Sequence, residues 1–472
     1  MKGLHIQKNK IAVIGLGISG KSVAQYFLKH NVSVDVFEDK KESDFDSTTI
    51  QSFTEDTRFS IQFSDSSPDI NIDQYDYVIA SPGVPMTHRL VVLAQSSNIE
   101  CITDINTFLR IFRAEYPQGK VISVTGSNGK STTVSLMYQA LLSAKVDVYL
   151  GGNIGTSPLD FFDEIKTPQP IIILETSSYQ LEYMKDVDYF DIACILNLSD
   201  NHLNRYGGKK ELYAQAKLGG IDSEHTHALL NLDDAYTQKY IIPHVPTKRV
   251  LPIQFEHVQN EGVMTLENNS IVYSDSEEST VYLSDTSKMR LRGLHNIYNA
   301  AFVCGVLHIL DIEPAQDIQK ALYEFSGLIH RVQYVDSIQD ITYINDSKST
   351  SPDATVKALE TLGVSKNIIL ISGGNDKDIS YESMSDTWTD YVKALILLPG
   401  TANQKLKVLA EHTDVELLGE IKTMQEAIDI ASNHASTGDA ILLSPATDSH
   451  ASFRSFEDRG NQFIQCIQNL KN

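Results

Sequence analysis

Three times along the chain, an apolar run of strand length ends in a glycine-containing turn and gives way to a helical pattern, and this recurrence restricts the fold more than any other feature. Strand, turn and helix in that order join parallel strands, so an α/β architecture is expected, with helices covering parallel sheets. The first block begins at KIAVIGLGISGKSVAQYFLKH and continues through VSVDVFEDK and YDYVIASPGV. The second begins at KVISVTGSNGKSTTVSLMYQALLSA and carries PIIILETSSYQLE, DIACILNLSDNHLNRYG and HNIYNAAFVCGVLHIL. The third contains ITYINDSKST, NIILISGGND, ALILLPG and AILLSPATD. A chain of 472 residues exceeds what one hydrophobic core usually supports, and the blocks divide it into expected domains at 1–108, 109–326 and 327–472. Between Pro246 and Leu291, short alternating segments such as GVMTLENNSIVYS predict antiparallel hairpins decorating the second block.

Composition narrows the possible partners. Hydrophobic residues make up 42% of the chain without a long apolar run, and the N-terminal stretch lacks a secretory pattern, so a cytoplasmic protein with no membrane partner is expected. The net charge of -22 argues against nucleic acid, whose binding needs a basic face to displace counterions. An anionic substrate must then be met by local cations or metal ions. Cys101, Cys194, Cys304 and Cys466 are scattered among apolar neighbours without paired spacing, which predicts buried thiols rather than a disulfide or zinc site.

Gly15, Gly17 and Gly20 form G-x-G-x-x-G between a strand and a helix, an arrangement that aims backbone N–H groups and a helix N-terminus at a diphosphate. Glu38 and Asp39 end the next strand, where a nucleotide ribose or base would lie. Taken alone, this motif fits a dinucleotide dehydrogenase, another nucleotide site, or a tight turn that needs small residues. Gly126, Ser127, Asn128, Gly129, Lys130 and Ser131 narrow the choice, because strand, loop and helix meet there in a phosphate-binding loop with a shorter glycine spacing than usual. Lys130 would neutralise β and γ phosphates, and the hydroxyl of Ser131 or Thr132 would coordinate Mg²⁺. Glu175 leaves the carboxyl end of the strand PIIIL and is a candidate Mg²⁺ ligand; without the nearby loop it would read as a strand-end glutamate facing water. His202 follows ACILNLS in the same manner and could ligate a metal through a neutral imidazole, although a lone loop histidine is more often structural.

The run Gly-Ser-Asn-Gly-Lys-Ser-Thr, the segment Gly151-Gly152-Asn153-Ile154-Gly155, Glu175-Thr-Ser-Ser-Tyr-Gln-Leu-Glu, His295-Asn296-x-x-Asn299, His330-Arg331, Asn345-Asp346-Ser347-Lys348-Ser349-Thr350 and Ser444-Pro445-Ala446 occur in this order over essentially the whole chain. Together they resemble the Mur ligases, and within that family the branch that adds glutamate. The resemblance implies a three-domain α/β architecture: a Rossmann-like N-terminal domain for a uridine diphosphate, a P-loop ATPase-like central domain for ATP, and a Rossmann-like C-terminal domain for the amino acid.

It further implies that Ile18, Ser19, Glu38, Asp39 and Lys40 surround the uracil-nucleotide end, with Ser81 and Gly83 beside them and Asn153 and His202 toward the muramoyl part. Asn296 and Asn299 would hold adenine or ribose, with Arg331 and Asp346 closing over the nucleotide. Lys348, Thr350, Ser449 and Phe456 match glutamate-contacting positions. Lys217 matches a carbamylated lysine; from residue pattern alone it would be an ordinary surface lysine. Two Mg²⁺ ions would be held by Ser131, Glu175, His202 and Lys217, so that Lys130, His202, Lys217 and Lys348 form the catalytic set.

The implied reaction is ATP-dependent addition of D-glutamate to UDP-N-acetylmuramoyl-L-alanine through an acyl phosphate, with a monomer as the expected state. L-Glutamate, another amino acid, and a nucleotide-binding dehydrogenase remain the alternatives. The chain departs from the family pattern at Lys40, Asn201, Ser351 and the loop Thr447–His450, positions that bear on uracil and glutamate recognition.

Overall fold

The computed structural model describes residues 3–42, 53–63, 70–154, 156–199, 203–246, 248–256, 261–275, 279–327, 329–376, 380–449 and 451–470. It contains three sheets in two compact units, Met1–Glu324 and Phe325–Asn472.

In the first unit, β1 (Lys10–Ile14), β2 (Ser33–Glu38), β3 (Phe59–Phe63), β4 (Tyr77–Ala80) and β5 (Glu100–Ile102) form an all-parallel sheet in the order β3-β2-β1-β4-β5. Strand order reverses at β1, so the glycine turn after β1 opens at the switch point where open α/β sheets receive ligands. The turn feeds the helix Ile18–Lys29, which buries Val23, Ala24 and Phe27 against the sheet. Gly20 must be glycine here, because a Cβ would lie 1.9 Å from the carbonyl oxygen of Gly15.

The second sheet adds β6 (Lys120–Thr125), β7 (Val148–Gly152), β8 (Ile171–Glu175), β9 (Ile192–Ile195), β10 (His227–Asn231), β11 (Val250–Ile253), β12 (Val263–Glu267), β13 (Ser270–Ser274) and β14 (Ser279–Leu283), in the order β14-β13-β12-β11-β10-β9-β6-β8-β7. Strand β8 is buried along its whole length, as a central parallel strand covered on both faces must be. The hairpins expected between Pro246 and Leu291 are the antiparallel β12–β14, which extend the parallel sheet from its edge; β11, in the same stretch, pairs parallel to β10. One hydrophobic cluster joins the two sheets: Phe108 and Phe112, on the helix Asp104–Glu115, pack with Phe27, Phe161 and Phe162. Phe108 meets Phe161 at 6.2 Å and Phe162 at 6.0 Å, edge-on in both cases.

In the second unit, β15 (Gln333–Ile338), β16 (Ile341–Asn345), β17 (Ile368–Ser372), β18 (Val392–Leu397), β19 (Glu416–Glu420) and β20 (Ala440–Leu443) form a sheet in the order β15-β16-β20-β17-β18-β19. Only the β15–β16 pair is antiparallel. Helices lie on both faces, one layer centred on Trp388 and Leu406, the other on Ile428 and Phe463. Among the described residues no helix is long and apolar enough to cross a membrane. The four cysteines are buried.

Candidate functional site

Strand β6 ends at Thr125, and the loop Gly126–Gly129 leads into the helix Lys130–Ser143. Gly129 sits at φ 83° as the N-cap, and a Cβ there would lie 2.7 Å from the Asn299 side-chain oxygen. Left-handed backbone and crowding therefore both require glycine. The loop is tied to the end of β9 by a reciprocal pair, Asn128 N–H to Asn197 Oδ1 (2.9 Å) and Asn197 Nδ2 to the Asn128 carbonyl (3.1 Å). Ser127 N–H donates to the Asn197 carbonyl at 2.9 Å. Lys130 curls back, its Nζ 2.8 Å from the Gly126 carbonyl and 3.0 Å from that of Ser127. Ser131 is buried at the helix start, and Thr132 is half-buried. Asn296 and Asn299 are buried on the helix Leu294–Ile309, where Asn299 donates to Asn296 Oδ1 at 3.2 Å, so the structure brings this pair to the loop Gly126–Gly129.

Register sets the carboxylate beside the loop: Glu175, the last residue of β8, pairs with Val124 of β6. Glu175 is 3% exposed. Its Oε1 accepts from Asn153 Nδ2 at 3.0 Å, while Oε2 is buried and has no hydrogen-bond partner. Leaving a buried acceptor unpaired costs about 1–3 kcal/mol, and more for a charged one. An oxygen held this way fits a cation.

Lys217 ends the helix Lys210–Lys217 and is 2% exposed, not a surface lysine. Its Nζ donates to Thr125 Oγ1 at 3.2 Å and lies 4.7 Å from the centre of the Tyr213 ring. Burial, reinforced by the like charge of Lys130, drives this amine well below the ordinary lysine range. Glu175 and Lys217 thus converge on the last two residues of β6. His202 and Asn201 lie outside the described residues. Among the described residues, no three His, Cys, Asp or Glu side chains gather as a metal site. A metal here would rely on Glu175, hydroxyls such as Ser131 and the phosphates themselves, the usual habit of Mg²⁺.

At the first sheet, Glu38 braces the glycine turn. Its Oε2 accepts from Leu16 N–H at 2.7 Å and Oε1 from Lys40 N–H at 3.0 Å. Asp39 is exposed and lies 3.3 Å from His88 Nε2. Ser81 Oγ donates to the Gly15 carbonyl at 2.9 Å. Arg205 donates to the Gly83 carbonyl at 3.1 Å. Ile18, at the start of its helix, is 73% exposed, which leaves an apolar face free at the open end of the turn. Ser19 Oγ donates to Asp104 Oδ2 at 2.7 Å.

In the second unit, the loop after β16 carries Asp346, Lys348 and Thr350. Asp346 Oδ1 accepts from Val332 N–H at 3.0 Å and Oδ2 from Ser444 Oγ at 2.7 Å. Burial pushes its pKa up to about 6 against those hydrogen bonds. Lys348 is exposed and makes no ion pair with Asp346; its Nζ lies 5.8 Å from the Phe456 ring centre. Arg331 is exposed, beside the buried His330, and Thr350 is half-buried. Ser449 is buried in the loop after β20.

Three residues that hold these positions carry no sequence signal of their own: Tyr213, Asp104 and Arg459. Arg459 is 1% exposed and pins both loops, donating through Nη2 to the Ser347 carbonyl (2.8 Å) and through Nη1 to that of Asp448 (3.5 Å). Asn197, which also braces the loop, lies two residues beyond the end of β9, and that place at the carboxyl end of a parallel strand is the signal that identifies it.

Comparison with known proteins places the chain. The MurD-like N-terminal domain of Mur ligases matches residues 9–103, the Mur ligase middle domain 124–307, and the Mur ligase glutamate ligase domain 330–447. A protein of Caldicellulosiruptor saccharolyticus named UDP-N-acetylmuramoylalanine–D-glutamate ligase is 33% identical over 469 residues, covering 98% of this chain and 99% of its own. Its namesake in Caldicellulosiruptor bescii is 33% identical over 475 residues, with 99% of each chain covered. Among solved structures, the UDP-N-acetylmuramate-alanine ligase MurC of Thermotoga maritima shares the fold at a TM-score of 0.52 and 17% identity, over 98% of this chain and 99% of that one. With all three domains matched in order and relatives aligned over nearly the full length, the chain belongs to the Mur ligase family.

Proposed function

We propose that the protein is the ATP-dependent ligase that adds D-glutamate to UDP-N-acetylmuramoyl-L-alanine in peptidoglycan precursor synthesis, acting as a cytoplasmic monomer. The observation that carries this reading is the convergence of the Lys130 loop, Glu175 and Lys217 at the end of β6, in a chain whose relatives bear that enzyme's name. In the proposed division of labour, residues 1–108 bind the uridine diphosphate end, 109–326 ATP and 327–472 glutamate.

The alanyl carboxylate attacks the γ-phosphorus of ATP, ADP leaves, and an acyl phosphate forms. The glutamate amine then attacks the acyl carbon, releasing phosphate and a proton. Phosphoryl transfer depends on positioning and charge neutralisation, which assigns Lys130 and the N–H groups of Gly126–Gly129 to the phosphate oxygens. Ser131, Glu175, His202 and a carbamylated Lys217 would hold two Mg²⁺ ions, which when bound supply positive charge to the phosphoryl oxygens. The orphaned Glu175 Oε2 supports that fit. So does the displaced Lys217 pKa, because only a neutral amine adds to carbon dioxide, losing a proton to leave a carbamate. Asn296, Asn299, Arg331 and Asp346 are assigned to the nucleotide. Ile18, Ser19, Glu38, Asp39, Lys40, Ser81, Gly83 and Asn153 are assigned to the UDP-sugar.

Glutamate is assigned to Lys348, Thr350, Ser449 and Phe456. The absence of an Asp346–Lys348 ion pair leaves the Lys348 ammonium for a substrate carboxylate. Lys348→Ala should therefore raise the KM for glutamate at least about tenfold, the loss of one charge-assisted hydrogen bond, with little change in the KM for ATP. Equal effects on both would assign the lysine to the nucleotide. The test of the whole reading is phosphate release with the UDP-muramoyl-alanine acceptor and D-glutamate, L-glutamate, D-aspartate, L-lysine or meso-diaminopimelate. Preference for a diamino acid would overturn it, and preference for L-glutamate would overturn the stereochemistry alone.

A further inference from the structure

Asp104 is the first residue of the helix Asp104–Glu115, 1% exposed, and forms no ion pair among the described residues. Its Oδ2 accepts from Ser19 Oγ at 2.7 Å and more distantly from Ser157 Oγ at 3.5 Å, while Oδ1 is buried without a hydrogen-bond partner. The groups facing it are uncharged: Ser19 from the helix that follows the glycine turn, Ser157 from the loop after β7, the Gln180 amide from the short helix Ser178–Leu181, and its own helix's first N–H groups. A buried carboxylate in such company is costly in its charged form, and burial pushes the pKa of Asp104 up against the opposing Ser19 hydrogen bond.

A hydroxyl has one hydrogen to give. While Ser19 Oγ donates to ionised Asp104, only its lone pairs are left for the open end of the glycine turn, and these repel a phosphate oxygen, which can only accept. Protonated Asp104 reverses the polarity: the acid donates to Ser19, and Ser19 is freed to donate outward. We propose that Asp104 is a positioning residue that sets the hydrogen-bond direction of Ser19, so that the nucleoside diphosphate end of the acceptor binds together with one proton. This rests on the assignment of Ser19 to the UDP-sugar. The proton passes from solvent to an Asp104 carboxylate oxygen, and no covalent bond to the substrate changes.

The sign follows from linkage. Binding stabilises the protonated acid, so affinity is full below the free-enzyme pKa of Asp104 and falls as pH rises above it, by up to about tenfold per unit. The other ionisable side chains at this end are Glu38, Asp39, Lys40 and His88, and a variant separates them from Asp104. Calorimetric titration of the wild-type enzyme with UDP-N-acetylmuramoyl-L-alanine, in buffers of different ionisation enthalpy across the pH range in which the enzyme stays folded, should register uptake rising toward one proton per acceptor. The acceptor KM should rise over the same range in the wild-type enzyme. Asp104→Asn, whose carboxamide takes up no proton and can donate to Ser19 through Nδ2, should bind without proton uptake and with a flat acceptor KM. Wild-type binding with no uptake anywhere in the range overturns the proposal even if the variant fails to fold, and uptake that survives in Asp104→Asn assigns the proton elsewhere and overturns it too. A wild-type enzyme that does not bind the acceptor at all overturns the assigned function and this proposal together.

Discussion

Lys130→Ala is expected to lose about two to three orders of magnitude in ATP-dependent phosphate release while keeping its fold. The lysine starts the helix that follows the loop Gly126–Gly129, and its ammonium rests on the carbonyls of Gly126 and Ser127. Removing it costs two hydrogen bonds to a loop that Asn197 braces independently, so the fold should survive. Phosphoryl transfer would lose more, because a fixed positive charge in a low-dielectric site stabilises the developing charge without reorganising. Glu175→Ala should lose a comparable factor for the complementary reason, as it removes the buried carboxylate whose free oxygen suits a cation. Glu175→Gln keeps the shape and the Asn153 contact but not the charge, which separates packing from electrostatics. Near-wild-type turnover in Lys130→Ala, with an unchanged melting temperature, would remove the loop from the reaction.

The features legible in the sequence are those in which one segment carries its own reason. A glycine turn between an apolar strand and a helix states its geometry locally, and both such turns occupy the expected places after β1 and β6. Glu175 is legible as a strand-end carboxylate because strand direction fixes where its side chain emerges. Asp104 is not, since its partner Ser19 lies 85 residues away and only the fold brings them together. Lys217 reads as a surface residue on a polar helix, and only its packing beneath Thr125 and Tyr213 gives the amine its unusual environment. Arg459 is similar: an arginine on a C-terminal helix looks solvated, yet it is buried under the Ser347 and Asp448 carbonyls, where burial lowers its pKa to about 10. Glu38 shows the reverse limit. Its position beside the glycine turn was readable, but its engagement with the N–H groups of Leu16 and Lys40 depends on how the turn folds over the end of β2.

Lys217→Ala should be nearly inactive, with a loss as large as that of Lys130→Ala, although no phosphate contact is assigned to the lysine itself. The amine is almost wholly buried, it donates to a threonine hydroxyl, and the charge of Lys130 acts against its protonation. An ammonium in that setting would be costly, whereas a neutral amine is both cheaper to bury and nucleophilic toward carbon dioxide. The carbamate would place a second anionic group near the end of β6, beside the Glu175 carboxylate, and turn a repulsive neighbour of Lys130 into an attractive one. Lys217→Arg then serves as the sharper variant, since it retains a cation and much of the packing volume but cannot form the adduct. It should be as inactive as the alanine variant. In Lys217→Ala the truncated side chain leaves space in which formate or acetate at high concentration can supply the missing oxygens, so partial recovery of phosphate release is expected from either acid and not from chloride at equal ionic strength. Carbon-13 NMR of wild-type enzyme equilibrated with labelled bicarbonate and Mg²⁺ should give a carbamate resonance that disappears in both variants. A free amine in the wild-type spectrum, or an arginine variant with normal turnover, would leave Lys217 as a packing residue and return the metal site to Glu175, Ser131 and the phosphates.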